Sequence, residues 1–206
     1  MKQKINCNWN RYVDLGLPSG LLWATCNVGA KEPWESGLYF SWGNVDGHAK
    51  ESGYYFGINN NGPYASTPGA SLTDNIFDAE YDAARANLGG SWRMPTGFDF
   101  QELYDNCTHA WTIQNGVTGI LFTSRINGNS VFFPAAGYYF GTSLSNDGMY
   151  GCYWSSSLNS QSYAYGLFFS SGDVYPQDYS YRFIGYPVRA VLDHPKGSLL
   201  IKSIKR

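Results

Sequence analysis

Charge is scarce in this chain of 206 residues. Asp, Glu, Lys and Arg make up 15% of it and the net charge is −2, where an average domain carries about a quarter charged residues. A chain with no basic stripe and no aromatic-basic interleaving lacks what single-stranded nucleic acid needs, so no nucleic-acid partner is expected. The basic residues Lys196, Lys202, Lys205 and Arg206 gather in the tail, 193–206, and read as solvated. No apolar run reaches the roughly 18 residues that cross a bilayer. The segment Met1–Tyr12 is polar, so no signal peptide is expected in it.

Catalytic and metal-binding patterns are missing too. The three histidines, His48, His109 and His194, stand apart from any G-x-S-x-G elbow. The four cysteines, Cys7, Cys26, Cys107 and Cys152, form no C-x-x-C pair, which argues against a zinc ribbon or a thioredoxin-type site. They allow three disulfide pairings, and at this size the fold needs none; at most one bond is expected. Asp46, Asp74, Asp78, Asp82 and Asp147 could offer oxygens to Ca²⁺, but their spacing is not that of a calcium loop. The expectation is a protein that is not an enzyme, with no catalytic residue, no metal and no cofactor.

What is abundant is Tyr, with 17 residues, and Gly, with 24, beside many Ser and Asn. Tyr has an apolar body and a polar tip, so it can cover a surface and bind there. Antibody loops use the same mixture of residues.

The chain reads as a single domain over 1–206, with a core of about 12–192. Tyr12–Leu15 and Leu21–Ala24 are short strands around a Pro18-Ser19-Gly20 turn, and Gly37–Trp42 is another. Asp46–Leu72 is a long irregular loop rich in Gly, Asn and Pro. Helices are expected over Asp78–Leu88, stopped by Gly89-Gly90, and over Gly97–Cys107, capped by Thr96 with Asp99 three residues on. From Gly119 the period becomes two. Ile120–Thr123 and Ser130–Phe133 flank an Asn127-Gly128 hairpin turn. Tyr165, Leu167 and Phe169 are expected to be buried and Gly166, Phe168 and Ser170 to face out. Gly185–Val191 closes the fold. Two early helices and a late run of strands predict an α+β class.

Five segments carry a resemblance. They are Tyr12–Ala24 (YVDLGLPSGLLWA), Gly89–Thr96 (GGSWRMPT), Phe133–Gly137 (FPAAG), Tyr153–Ser157 (YWSSS) and Gly185–Arg189 (GYPVR). In this order the chain resembles the Fibrobacter-type major paralogous domain family of gut bacteria and their phages, over about Tyr12–Leu192. The resemblance implies a C-type lectin-like fold: two helices and a largely antiparallel sheet with long irregular loops. That fold is related to the formylglycine-generating enzymes, but the copper-binding cysteine pair of those enzymes has no counterpart here. The sugar-binding triplets of calcium-dependent lectins are missing as well.

The chain is also similar to the variable proteins of diversity-generating retroelements, which display a ligand-binding face near the C-terminus. Adenine-directed mutagenesis there converts Asn codons into many others. Asn is common up to Asn159 and absent after it. Tyr163, Gly166, Phe168, Ser170, Asp173, Tyr175, Asp178, Tyr179, Ser180, Tyr181, Phe183 and Ile184 are all residue types that adenine changes in an Asn codon can produce. These twelve are the expected ligand-binding residues, on a solvent-exposed face. Trp154, Arg93 and Arg189 are the expected scaffold anchors. The implied function is binding of a protein or a glycan on a cell surface. The protein would be extracellular, on a cell surface or a phage particle, with a homo-oligomer allowed. The other reading is a surface structural domain of the same paralogous family, with no diversified site.

Overall fold

The computed structural model describes residues 12–57 and 80–193. Glycine-punctuated segments rich in aromatic and β-branched residues turn nearly half of these into short strands. In chain order the elements are β1 (Tyr12–Asp14), β2 (Leu22–Asn27), β3 (Leu38–Phe40), β4 (His48–Ala49), α1 (Ala83–Leu88), β5 (Trp92–Arg93), α2 (Gly97–Asn106) and β6 (Cys107–Gln114). There follow β7 (Val117–Ser124), β8 (Ser130–Pro134), β9 (Tyr138–Phe140), β10 (Ser143–Ser145), β11 (Gly151–Leu158), β12 (Tyr163–Phe169), β13 (Val174–Tyr181), β14 (Tyr186–Pro187) and β15 (Arg189–Leu192).

The α+β expectation is overturned. The structure is mostly β, with 46% strand, 10% helix and five small antiparallel sheets in place of one large sheet. The strand orders are β1-β2-β15-β5, β10-β9, β11-β12-β13, β14-β3-β4 and β6-β7-β8. One reason is the brevity of α1. It begins only after Asp82, which caps it by accepting from the Arg85 N–H at 2.9 Å. Asp82 is fully buried and also takes the Met94 N–H. Its carboxylate is thus a joint between α1 and the segment after β5. Burial raises its pKa although N–H donors oppose the shift.

The second helix follows its sequence signals closely. Thr96 Oγ1 accepts from the Asp99 N–H, and Asp99 Oδ2 accepts from the Thr96 N–H, a complete capping box. Arg93 donates to Asp99 at 2.7 Å and to Asp193 at 2.9 Å, which ties the start of α2 to the end of β15.

The Tyr153 hydroxyl donates to the Pro134 carbonyl at 2.7 Å. Trp154 Nε1 donates to the Phe40 carbonyl, and Trp42 Nε1 returns a bond to the Ser155 carbonyl, both at 2.8 Å. The register of β11 on β12 shifts between Trp154 and Leu158. In that stretch Ser157 Oγ accepts from the Gly97 N–H, and Ser156 N–H donates to the Pro95 carbonyl. These serines hold the first turn of α2 against the β11-β12-β13 sheet.

Two large apolar clusters lie on the two sides of that sheet. One holds Trp42, Trp154, Ala164, Phe183, Ile184 and Val188. The other holds Trp23, Phe100, Phe133, Tyr153, Leu167 and Phe169.

Candidate tyrosine face on the edge strand

The twelve expected residues fall on β12, β13, the turn between them and the turn that follows β13. Paired residues on antiparallel strands project to the same side. Tyr163 pairs with Tyr181 and Tyr165 with Tyr179, so these four share one side. Gly166 pairs with Asp178, and Ala164 with Ser180, on the other. The register then shifts between Gly166 and Phe168, and Phe168 pairs with Tyr175. One extra residue on β13, near Pro176 and Gln177, therefore moves Tyr175 to the side opposite Tyr179.

The first side carries a connected aromatic surface. Tyr163 lies 4.4 Å from Tyr181 and 5.7 Å from Tyr179, ring centre to ring centre. At the end of β13 Tyr181 stacks at 5.2 Å on Phe183, itself buried in the cluster around Trp42 and Trp154, and Phe183 meets the edge of Phe140 at 5.9 Å. Tyr179 is 57% exposed, Tyr181 40% and Phe140 43%. The Tyr163 phenol is held above its ordinary pKa first by its hydrogen bond with Tyr181. Gln177, also exposed, donates to Gln101 of α2 at 3.4 Å. The second side carries a smaller group: Tyr175 stacks on Phe168 at 6.0 Å, and Phe168 meets Tyr150 at 5.2 Å.

The single-face expectation is therefore corrected at several residues. Gly166 is buried, because a Cβ there would sit 2.4 Å from the Tyr153 carbonyl oxygen. Phe183 and Ile184 are buried as well. After Tyr181 the chain turns inward, with Ile184 N–H donating to the Tyr181 carbonyl. That turn drives both side chains into the cluster around Trp42 and Trp154. Ser180 is half-buried beside Tyr186, which is buried. Ser170 is spent locally: its Oγ accepts from the N–H groups of Gly172 and Asp173 and closes the β12–β13 turn. Asp173 is exposed at that turn. Leu167 and Phe169 are buried, but Tyr165, expected to be buried, is half-exposed beside Gly97.

Asp178 is half-buried on the inner side of β13, and burial raises its pKa above the ordinary 3.8. A raised acid stabilises the fold only below its unfolded pKa, and that contribution is lost as pH rises through the folded one. Asp178→Asn is therefore expected to raise the thermal midpoint slightly at pH 7, where the parent must bury a charge and the variant does not. The gain should shrink towards zero in melts below about pH 4.

The expected anchors are placed as follows. Trp154 is fully buried and bonded as described. Arg93 bridges α2 and β15. Arg189 is fully buried and is held by Asn27 Oδ1 and the carbonyls of Ala24 and Thr25. Cys26, Cys107 and Cys152 are free and buried. Burial pushes the Cys107 thiol up to about 11 and that of Cys152 to about 12, which makes both poor nucleophiles at neutral pH. His48 stacks on Tyr54, and His109 on Tyr104. Asp147 pairs with Lys50. Cys7, Asp74, Asp78, His194 and the basic tail lie outside the described residues, as does part of the long loop.

Phe140, Tyr150 and Gln177 join these surfaces from outside the twelve expected residues. Gln is not a type that adenine changes in an Asn codon produce, and the other two precede Tyr163. Residues 114–191 are similar to a family described as a domain of unknown function (DUF8237). That span holds β7 to β14, most of β15 and every candidate binding residue. No curated protein and no solved structure matches the chain.

Proposed function

We propose that this chain is a non-enzymatic ligand-display protein that binds a protein or a glycan on a cell surface. Tyr163, Tyr179 and Tyr181 are its principal contacts, and it is displayed on a cell or a phage particle as the variable protein of a diversity-generating retroelement. The supporting observation is the joined aromatic surface on edge strand β13, backed by a bonded scaffold. Tyr side chains bury large area while fixing only two χ angles, and a rigid support keeps the ordering cost of binding low. An exposed aromatic patch of this kind marks an interaction surface.

The test is a surface-displayed library randomised at Tyr163, Asp173, Tyr175, Tyr179 and Tyr181. Most members should fold, since exposed substitutions change stability by about 0.5 kcal/mol or less. Selection against a folded target protein should enrich binders. Deep sequencing of natural populations should find variation concentrated at codons for these five residues. Collapse of display on randomisation, with invariant natural codons, would instead support the surface structural domain.

A further inference from the structure

The sheets β14-β3-β4 and β6-β7-β8 leave a cleft of about 570 Å³ between them, and it shares no residue with the tyrosine face. Its walls are the segment before β3, the end of β4, the β6–β7 turn and the loops around Ala135 and Asp147. We propose that this cleft is a second binding site, and that it takes a neutral saccharide.

The cleft is preformed. Ala135 N–H donates to the Thr118 carbonyl at 2.9 Å, Gly148 N–H to the Ala135 carbonyl at 2.7 Å, and Thr118 Oγ1 to the Gly148 carbonyl at 2.7 Å. The Tyr39 hydroxyl fixes the Ala136 carbonyl at 2.7 Å. Three walls are thus cross-tied before any ligand arrives, which lowers the ordering cost of binding. Gly37 keeps its part of the wall bare. It has a φ of +73°, and a Cβ there would sit 2.4 Å from the Val28 carbonyl oxygen.

The lining selects the ligand class. Trp34 is half-buried and offers an indole to an apolar ring face. Around it stand Glu35, Ser36, Thr118 and the Lys50–Asp147 ion pair. A polyanion would meet two carboxylates for one ammonium. A wholly apolar ligand would strand the ion pair away from water. A neutral sugar has C–H faces for the indole and hydroxyls that both donate and accept, so it satisfies carboxylate and ammonium together. The ion pair is well exposed, so parting it to admit hydroxyls costs little.

The experiment is an array of neutral and sulfated oligosaccharides, followed by calorimetry with the tightest neutral binder. A neutral oligosaccharide should bind with a Kd of about 1 mM or tighter, the range in which a few stacking and hydrogen-bonding contacts suffice. Trp34→Ala should weaken it at least about tenfold, the equivalent of 1.4 kcal/mol. Asp147→Asn and Glu35→Gln, at surface positions that leave the core intact, should each weaken it several-fold. Tyr179→Ser should leave it unchanged. The site is refuted if no neutral saccharide binds, if only sulfated ones do, if binding survives both Asp147→Asn and Glu35→Gln, or if it is lost with Tyr179→Ser.

Discussion

Arg189→Met is expected to destabilise the protein by about 2–3 kcal/mol, the upper range for leaving buried hydrogen-bond acceptors without their donor. Arg189 is fully buried on β15, the strand between β2 and β5. Its Nε donates to Asn27 Oδ1 at 2.8 Å, and its Nη1 donates to the carbonyls of Ala24 and Thr25 at 3.0 and 2.8 Å. The guanidinium lies 4.5 Å above the Phe133 ring. Methionine matches the apolar stem but stops short of the guanidinium and donates nothing, so the Asn27 side chain and two carbonyls lose their donor inside the core. Lysine keeps the charge without the planar fork and should rescue only part of the loss. Urea denaturation of the two variants beside the parent measures both effects. A loss under about 1 kcal/mol for methionine would show that the bonds are not what holds β15 in place.

Gly166→Asn should be the most damaging change on β12, at about 3 kcal/mol or more, the upper range for inserting atoms into a packed interior. Gly166 faces Trp154 across the β11–β12 pair, and its hypothetical Cβ meets a backbone oxygen at 2.4 Å. Neither strand can retreat without breaking the ladder that supports the tyrosine face. Asn is the informative replacement, because a diversified position would descend from it. Thermal melts of Gly166→Asn and Tyr179→Asn side by side should differ widely. Equal melts would return Gly166 to the set of display positions.

How far the sequence alone reached depended on what kind of signal was in play. Local chemistry was readable: Thr96 and Asp99 close the capping box of α2, and Asn127-Gly128 sits between β7 and β8. A second turn of the same kind, Asn115-Gly116, was there to be read and joins β6 to β7 with left-handed φ at both residues. β6 leaves no period of two over Cys107–Gln114, because its burial does not alternate. The first helix was expected too long, since the role of Asp82 as its cap depends on the distant Met94 N–H. Three of the twelve binding candidates failed for reasons of long-range packing. A codon filter sees residue type, whereas the exclusion of Gly166 comes from a neighbouring strand, and that of Phe183 and Ile184 from a turn. The division of the α+β expectation into five sheets is likewise a matter of tertiary pairing, invisible to strand periodicity.

On a regular strand Tyr175, Tyr179 and Tyr181 would form one row. The extra residue in β13 breaks that row and aims its two parts in opposite directions. A flat partner can meet Tyr163, Tyr179 and Tyr181, or Tyr175 with Phe168, but not both groups at once. Only a ligand that bends around the edge of β13, which pairs with no further strand among the described residues, would reach both. The strand is therefore a two-sided handle, and the shape of what it holds is set by a single unpaired residue as much as by its tyrosines.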